Sequence, residues 1–142
     1  MASSPLPTPP SAPRPRVVLA EDDDDMRSML AGMLAADGWE VIEAADGSSL
    51  VERLHEIAGE PRGRDTVLAV VADVRMPRLD GLDVLAALRC AGWRTPVVLM
   101  TAFGDGAVHR EARELGAVQV LDKPFALDRL RDVLRQIAPR RR

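Results

Sequence analysis

Residues 17–30 read VVLAEDDDDMRSML. Four apolar residues run straight into five carboxylates, and these run into methionines and leucines. An apolar run of this length fits a short buried strand, and Met26, Met29, Leu30, Met33 and Leu34 recur at i, i+3, i+4, i+7 and i+8, the period of an amphipathic helix. A strand, an acidic turn and a helix are therefore predicted in that order. Carboxylates a few ångströms apart raise one another's pKa and resist ionising together, so the cluster costs stability unless water, a cation or a helix end offsets it.

The same unit recurs down the chain. Trp39 to Ala44 is followed by Leu50, Leu54 and Ile57 at helical spacing, and Val67 to Ala72 by Leu82, Leu85 and Leu88. Two further units join Val97 to Met100 with Val108, Ala112 and Leu115, and Val118 to Leu121 with Leu127, Leu130, Val133, Leu134 and Ile137. A glycine closes three helix-to-strand junctions, in LAADGWEV, LRCAGWRTPVV and RELGAVQV, as a left-handed helix C-cap requires. Five strand–helix units predict an α/β, doubly wound (βα)5 fold with a parallel sheet covered by helices on both faces. Strands one, three and four are apolar throughout, whereas strand two carries Glu40 and Glu43 and strand five carries Gln119, as edge strands tolerate. The strand order 2-1-3-4-5, the flavodoxin-like arrangement, satisfies that pattern.

The chain has 142 residues, 46% of them hydrophobic, which is enough for one compact core. Residues 1–15 hold six prolines and little that could pack, and read as a disordered arm; residues 16–138 read as the domain and 139–142 as a basic tail. No apolar run approaches the ~20 residues of a membrane span, and no secretory signal opens the chain, so a cytoplasmic location is expected. Residues 1–71 carry 13 acids and 6 bases, and residues 72–142 carry 9 acids and 13 bases. Neither half is basic enough to predict nucleic-acid binding, and four aromatics give no base-stacking platform. Of 19 basic residues, 18 are arginine; the exception is Lys123, which marks a place where a compact ammonium is wanted.

In such a sheet a ligand binds beyond the carboxyl ends of the strands, where the strand order reverses, here between strands one and three. Strand one ends in Glu21 and Asp22, strand three in Asp73, strand four in Thr101, and strand five in Asp122 and Lys123. Three carboxylates, a hydroxyl and an ammonium on one rim make a hard-cation site beside an anion-holding group, and oxygen ligands of this kind suit Mg²⁺. Asp23, Asp24 and Asp25 are expected in the turn and first helical turn, where acids complement the helix dipole.

Residues 70–85 (VVADVRMPRLDGLDVL), 97–105 (VVLMTAFGD) and 121–125 (LDKPF) resemble the signature blocks of response-regulator receiver domains of two-component signalling, and the resemblance covers residues 16 to 138. It implies that Asp73 is the phosphoacceptor, and that Glu21 and Asp22 hold Mg²⁺ together with Asp73 and the backbone carbonyl of Arg75. Thr101 and the neighbouring Ala102 would follow the phosphoryl group, and Lys123 would pair with it. The implied partners are a histidine kinase or phosphotransfer protein upstream and, downstream, a protein that docks on the fourth predicted helix, fifth strand and fifth helix. Arg110, Arg113, Arg131 and Arg135 are candidate contacts there. The expected function is a stand-alone receiver, not an enzyme beyond its own phosphorylation and dephosphorylation. Two alternatives are a docking pseudo-receiver that turns over no phosphate and a Mg²⁺-dependent aspartyl-phosphate phosphohydrolase. The latter generally needs an acid two residues after the nucleophile, where this chain has Arg75.

Three features depart from the family pattern. The acidic pair is Glu-Asp where Asp-Asp is common. Residues 58–66 (AGEPRGRDT) are roughly eight residues longer than usual and read as a loop by composition. Val120 stands three residues before Lys123, where the family has a rotating Tyr or Phe. Of the remaining polar and aromatic residues, His55 and His109 are expected to be solvated, Trp39, Trp93 and Phe103 to pack, and Cys90 to be a small buried hydrophobe.

Overall fold

The computed structural model describes residues 14–102 and 106–138, so the arm up to Pro13, the tail 139–142 and Phe103 lie outside the described residues. In chain order the elements are β1 (Arg16–Ala20), α1 (Asp24–Ala36), β2 (Glu40–Ala44), α2 (Gly47–Ala58), α3 (Gly63–Thr66), β3 (Val67–Asp73), α4 (Gly81–Cys90), β4 (Val97–Thr101), α5 (Gly106–Glu114), β5 (Gln119–Asp122) and α6 (Leu127–Ile137). The strands form one parallel sheet in the order β2-β1-β3-β4-β5. This is the doubly wound arrangement that the alternation of apolar runs and helical stripes predicts. The edges fall as expected too, with Glu40 and Glu43 exposed on β2 and Gln119 half-buried on β5.

Because side chains alternate across a strand, each central strand feeds two cores. Val18, Ala20, Val70, Ala72, Val97 and Leu99 pack with Leu50, Leu54, Leu82, Leu85 and Leu88 of α2 and α4. On the opposite face Val17, Leu19, Ala69, Val71, Val98 and Met100 pack with Leu30, Leu34, Leu130 and Leu134 of α1 and α6. Gly38, Gly92 and Gly116 follow α1, α4 and α5 with φ of 100°, 80° and 89°, the left-handed helix stops expected of them.

Several expectations need correction. Residues 58–66 are not simply a loop: α2 runs to Ala58, and Gly63–Thr66 forms the single turn α3, so the fourth predicted helix is α5. Tertiary contacts hold that turn. Arg16 Nη1 donates to Thr66 Oγ1 at 3.0 Å and to Glu60 Oε2 at 2.9 Å, and the Arg64 guanidinium lies 4.9 Å from the Trp93 ring centroid. Cys90 is exposed, not buried. It lies two residues, about 200° of helical turn, past the buried Leu88. Val118 precedes β5 and is 50% exposed. Arg131 leans onto Asp37 at the end of α1, with Nε at 2.9 Å from Oδ2, and is committed to that face instead of the α5–β5 side. Trp39 and Trp93 pack and His55 is exposed, as expected. His109 is instead half-buried and paired. No helix among the described residues is long and apolar enough to cross a membrane.

Candidate functional site

The rim at the carboxyl ends of the strands gathers Glu21, Asp22, Asp73, Thr101 and Lys123. Glu21 leaves β1 with its N–H donating to Ala44 O at 3.1 Å, and its own carbonyl accepts from Arg27 Nη1 at 2.8 Å. That backbone anchoring turns its side chain into the sheet's end, where it is 1% exposed. Asp22 is exposed beside it. Asp23 caps α1 by accepting from the Met26 N–H at 2.9 Å, and Asp24 and Asp25 occupy the helix's first turn. The run of five acids thus divides in two, with two residues on the rim and three at the start of a helix.

Asp73 ends β3 and is 5% exposed. Its Oδ1 accepts from the Arg75 N–H at 3.1 Å, and its Oδ2 lies 2.6 Å from Lys123 Nζ. The same ammonium reaches Glu21 Oε1 at 3.0 Å and Oε2 at 3.2 Å. The chain's single lysine thereby bridges two carboxylates that would otherwise repel each other at close range. Burial, reinforced by a hydrogen bond with Asp73, pushes the Glu21 carboxyl up to about 7 against the pull of Lys123. Burial works against the Lys123 charge, but its bonds to Asp73 and Glu21 prevail and raise its pKa.

Thr101 ends β4, fully buried, and pairs in register with Asp122; the Lys123 N–H donates to Thr101 O at 2.7 Å. Ala102 follows on the exposed rim, as does Arg75 beyond Asp73. The Lys123–Pro124 bond is cis. Val120 lies off the rim, half-buried against the core shared with Val108 and Leu115 of the α5 side.

Glu21, Asp22 and Asp73 each offer a carboxylate oxygen, all within 4.8 Å of one another. Mg²⁺ takes oxygen ligands at about 2.0–2.1 Å, which places neighbouring ligands about 3 Å apart, so small side-chain movements would let all three acids share one ion. The donor set, hard oxygens from two buried acids and one wet one, fits that cation.

Two residues that shape the site were not singled out from sequence. A Cβ on Gly81 would lie 2.5 Å from Asp73 O and 3.1 Å from Leu99 Cδ2. A Cβ on Gly47 would strike the carbonyl oxygen of Leu79 in the loop that follows Asp73. Both glycines let backbone close on the Asp73 loop. The only local signal was the Asp-Gly pairs at 46–47 and 80–81, which read equally well as helix starts.

This fold is that of the receiver domains of bacterial two-component signalling systems. The chain belongs to the response regulator receiver domain family, whose model matches residues 17–135. It is 40% identical over 119 residues to the transcriptional regulatory protein PdtaR of Mycobacterium tuberculosis, covering 81% of this chain and 52% of that protein. Over 115 residues it is 34% identical to the regulatory protein AtoC of Escherichia coli, covering 81% of this chain and 23% of that one. The chain therefore spans about half or less of the length of these curated relatives. Among solved structures, the receiver domain of Francisella response regulator 1452 is 27% identical with a TM-score of 0.75, covering 87% of this chain and 95% of that one. The chemotaxis protein CheY4 of Vibrio cholerae is 25% identical, also with a TM-score of 0.75, covering 88% and 99%.

Proposed function

We propose that this chain accepts a phosphoryl group on Asp73 from a histidine kinase or phosphotransfer protein, with Mg²⁺ as cofactor, and signals through protein contacts that depend on that group. The observation that carries this reading is the position of Asp73. It is a nearly buried carboxylate at the end of a central strand, in contact with the only lysine and within reach of two further acids.

In the transfer, an Asp73 carboxylate oxygen forms a bond to phosphorus as the bond from phosphorus to the donor's imidazole nitrogen breaks. The bonding electron pair leaves with the imidazole, and an acyl phosphate remains on Asp73. Charge in the transition state spreads over the equatorial oxygens, so alignment and opposite charge carry most of the catalysis. Lys123 needs only to swing from the Asp73 carboxylate to one of those oxygens. The Thr101 hydroxyl and the Ala102 backbone stand at the adjacent strand end to meet another. Glu21 and Asp22, with Asp73 and the Arg75 carbonyl, would hold Mg²⁺, which when bound offsets the repulsion between Asp73 and the incoming phosphoryl oxygens. The new group adds about -1.5 to -2 charge to the rim, and the surface of α5, β5 and α6 is the output face nearest that change.

The test is direct. With Mg²⁺ and acetyl phosphate, the protein should form an acyl phosphate that reduction traps and mass spectrometry maps to Asp73. Label on another carboxylate, or undiminished label in Asp73→Asn, would overturn the assignment. A protein that takes no label while keeping its fold would point to the docking pseudo-receiver.

A further inference from the structure

The segment that must respond to phosphorylation lacks the usual means of doing so. Val120 is β-branched and short, and it packs against the core with Val108, so it offers no aromatic ring to exchange a buried for an exposed position. The response must leave the rim by another contact.

One contact is placed to carry it. His109 Nε2 lies 2.9 Å from Asp122 Oδ1, joining the fourth residue of α5 to the last residue of β5. Asp122 is tied to the site on both sides. Across the ladder it is the register partner of Thr101, and the next residue is Lys123, whose N–H holds Thr101 O and whose ammonium bridges Glu21 and Asp73. At the other end of the contact, α5 is lightly anchored. Ala112 is its one buried residue, with Val108 half-buried in support, so a polar contact from its first turn adds to a light apolar attachment.

Resting on the proposed phosphorylation of Asp73, we infer that His109 and Asp122 are positioning residues that transmit the state of the phosphorylation site to α5, in place of an aromatic rotor. As Lys123 turns to a phosphoryl oxygen and Thr101 follows, the Asp122 end of β5 shifts with them. Asp122 then carries His109 and the first turn of α5. The imidazole acts here as a hydrogen-bond donor through Nε2, a role the side-chain amide of glutamine can imitate.

The experiment compares amide hydrogen exchange over residues 106–115 with and without Mg²⁺ and beryllofluoride in the full chain, using wild type, His109→Ala, His109→Gln and the chain substituted at both positions, His109→Ala with Asp122→Asn. The quantity read is the ligand-dependent change, which a purely structural role would leave intact. Wild type should change by about threefold, the scale of one modest hydrogen bond. His109→Ala and the doubly substituted chain should lose that change equally, and His109→Gln should keep it. Labelling of Asp73 by acetyl phosphate is followed in parallel and should stay within about twofold of wild type in His109→Ala. An unchanged α5 response in His109→Ala, or equal loss in His109→Gln, would overturn the coupling while Asp73 still labels. If wild type does not label at Asp73, the underlying reading fails and the coupling falls with it, and the labelling arm tells the two failures apart.

Discussion

Glu21 shows how much one buried carboxyl can report. Its folded value of about 7 lies above the ordinary 4.5, so the folded chain holds that proton more tightly than the unfolded chain. Its contribution to stability is therefore whole below 4.5 and is lost as pH climbs through about 7. In the proposed role of Glu21 as a Mg²⁺ ligand, binding requires the ionised form, so metal uptake should release a proton. Apparent Mg²⁺ affinity should then rise about tenfold between about pH 6 and pH 8 in wild type, and should stay flat in Glu21→Gln; isothermal titration at the two pH values checks both. Gly81 offers a second test. Gly81→Ala forces backbone apart at Asp73, which should cost about 1–3 kcal/mol in urea unfolding and slow labelling of Asp73 by acetyl phosphate. The two kinds of residue differed in how legible they were. Glu21, Asp22, Asp73 and Lys123 were visible because each closes an apolar run, and strand ends meet at one rim in this topology. Gly81 and Gly47 were not, because what they avoid is a carbonyl or side chain brought close by the tertiary fold, and no local pattern encodes that approach.

Strands and the longer helices followed from hydrophobic period alone, while the single turn α3 did not. The sequence AGEPRGRDT has the proline and glycine content of a loop, yet its last four residues turn once as α3 because Arg16, Thr66, Arg64 and Trp93 meet around them. Cys90 misled for the opposite reason: it sits among alanines and leucines, but helix phase decides burial, and that phase puts Cys90 outside while Leu85 and Leu88 face in. The native protein should accordingly react with a disulfide reagent such as dithionitrobenzoate without denaturant, giving one thiol per chain within minutes. Protection until unfolding would contradict the exposed placement.

Two cores share one sheet in the whole molecule. Leu34 belongs to the face covered by α1 and α6, and Leu85 to the face covered by α2 and α4. Both are fully buried, so Leu34→Ala and Leu85→Ala should each cost about 2–5 kcal/mol in urea unfolding. The sheet separates them, so the doubly substituted chain should show the sum within about 0.5 kcal/mol. A sizeable shortfall would mean that the faces yield together. The layered plan was readable because edge strands tolerate charge and central ones do not. The direction of Arg131 was not, since an arginine on a helix flank can reach either neighbour, and here Asp37 decides it. The composition of the whole chain has a practical consequence at the acidic rim. With 18 arginines and one lysine, the sequence offers amine-reactive reagents a single side-chain target. That target lies inside the site, 19% exposed and held as an ammonium by two carboxylates. Its rate of acylation is thus a built-in reporter, one that reads occupancy of the rim by mass spectrometry in a chain with no engineered label.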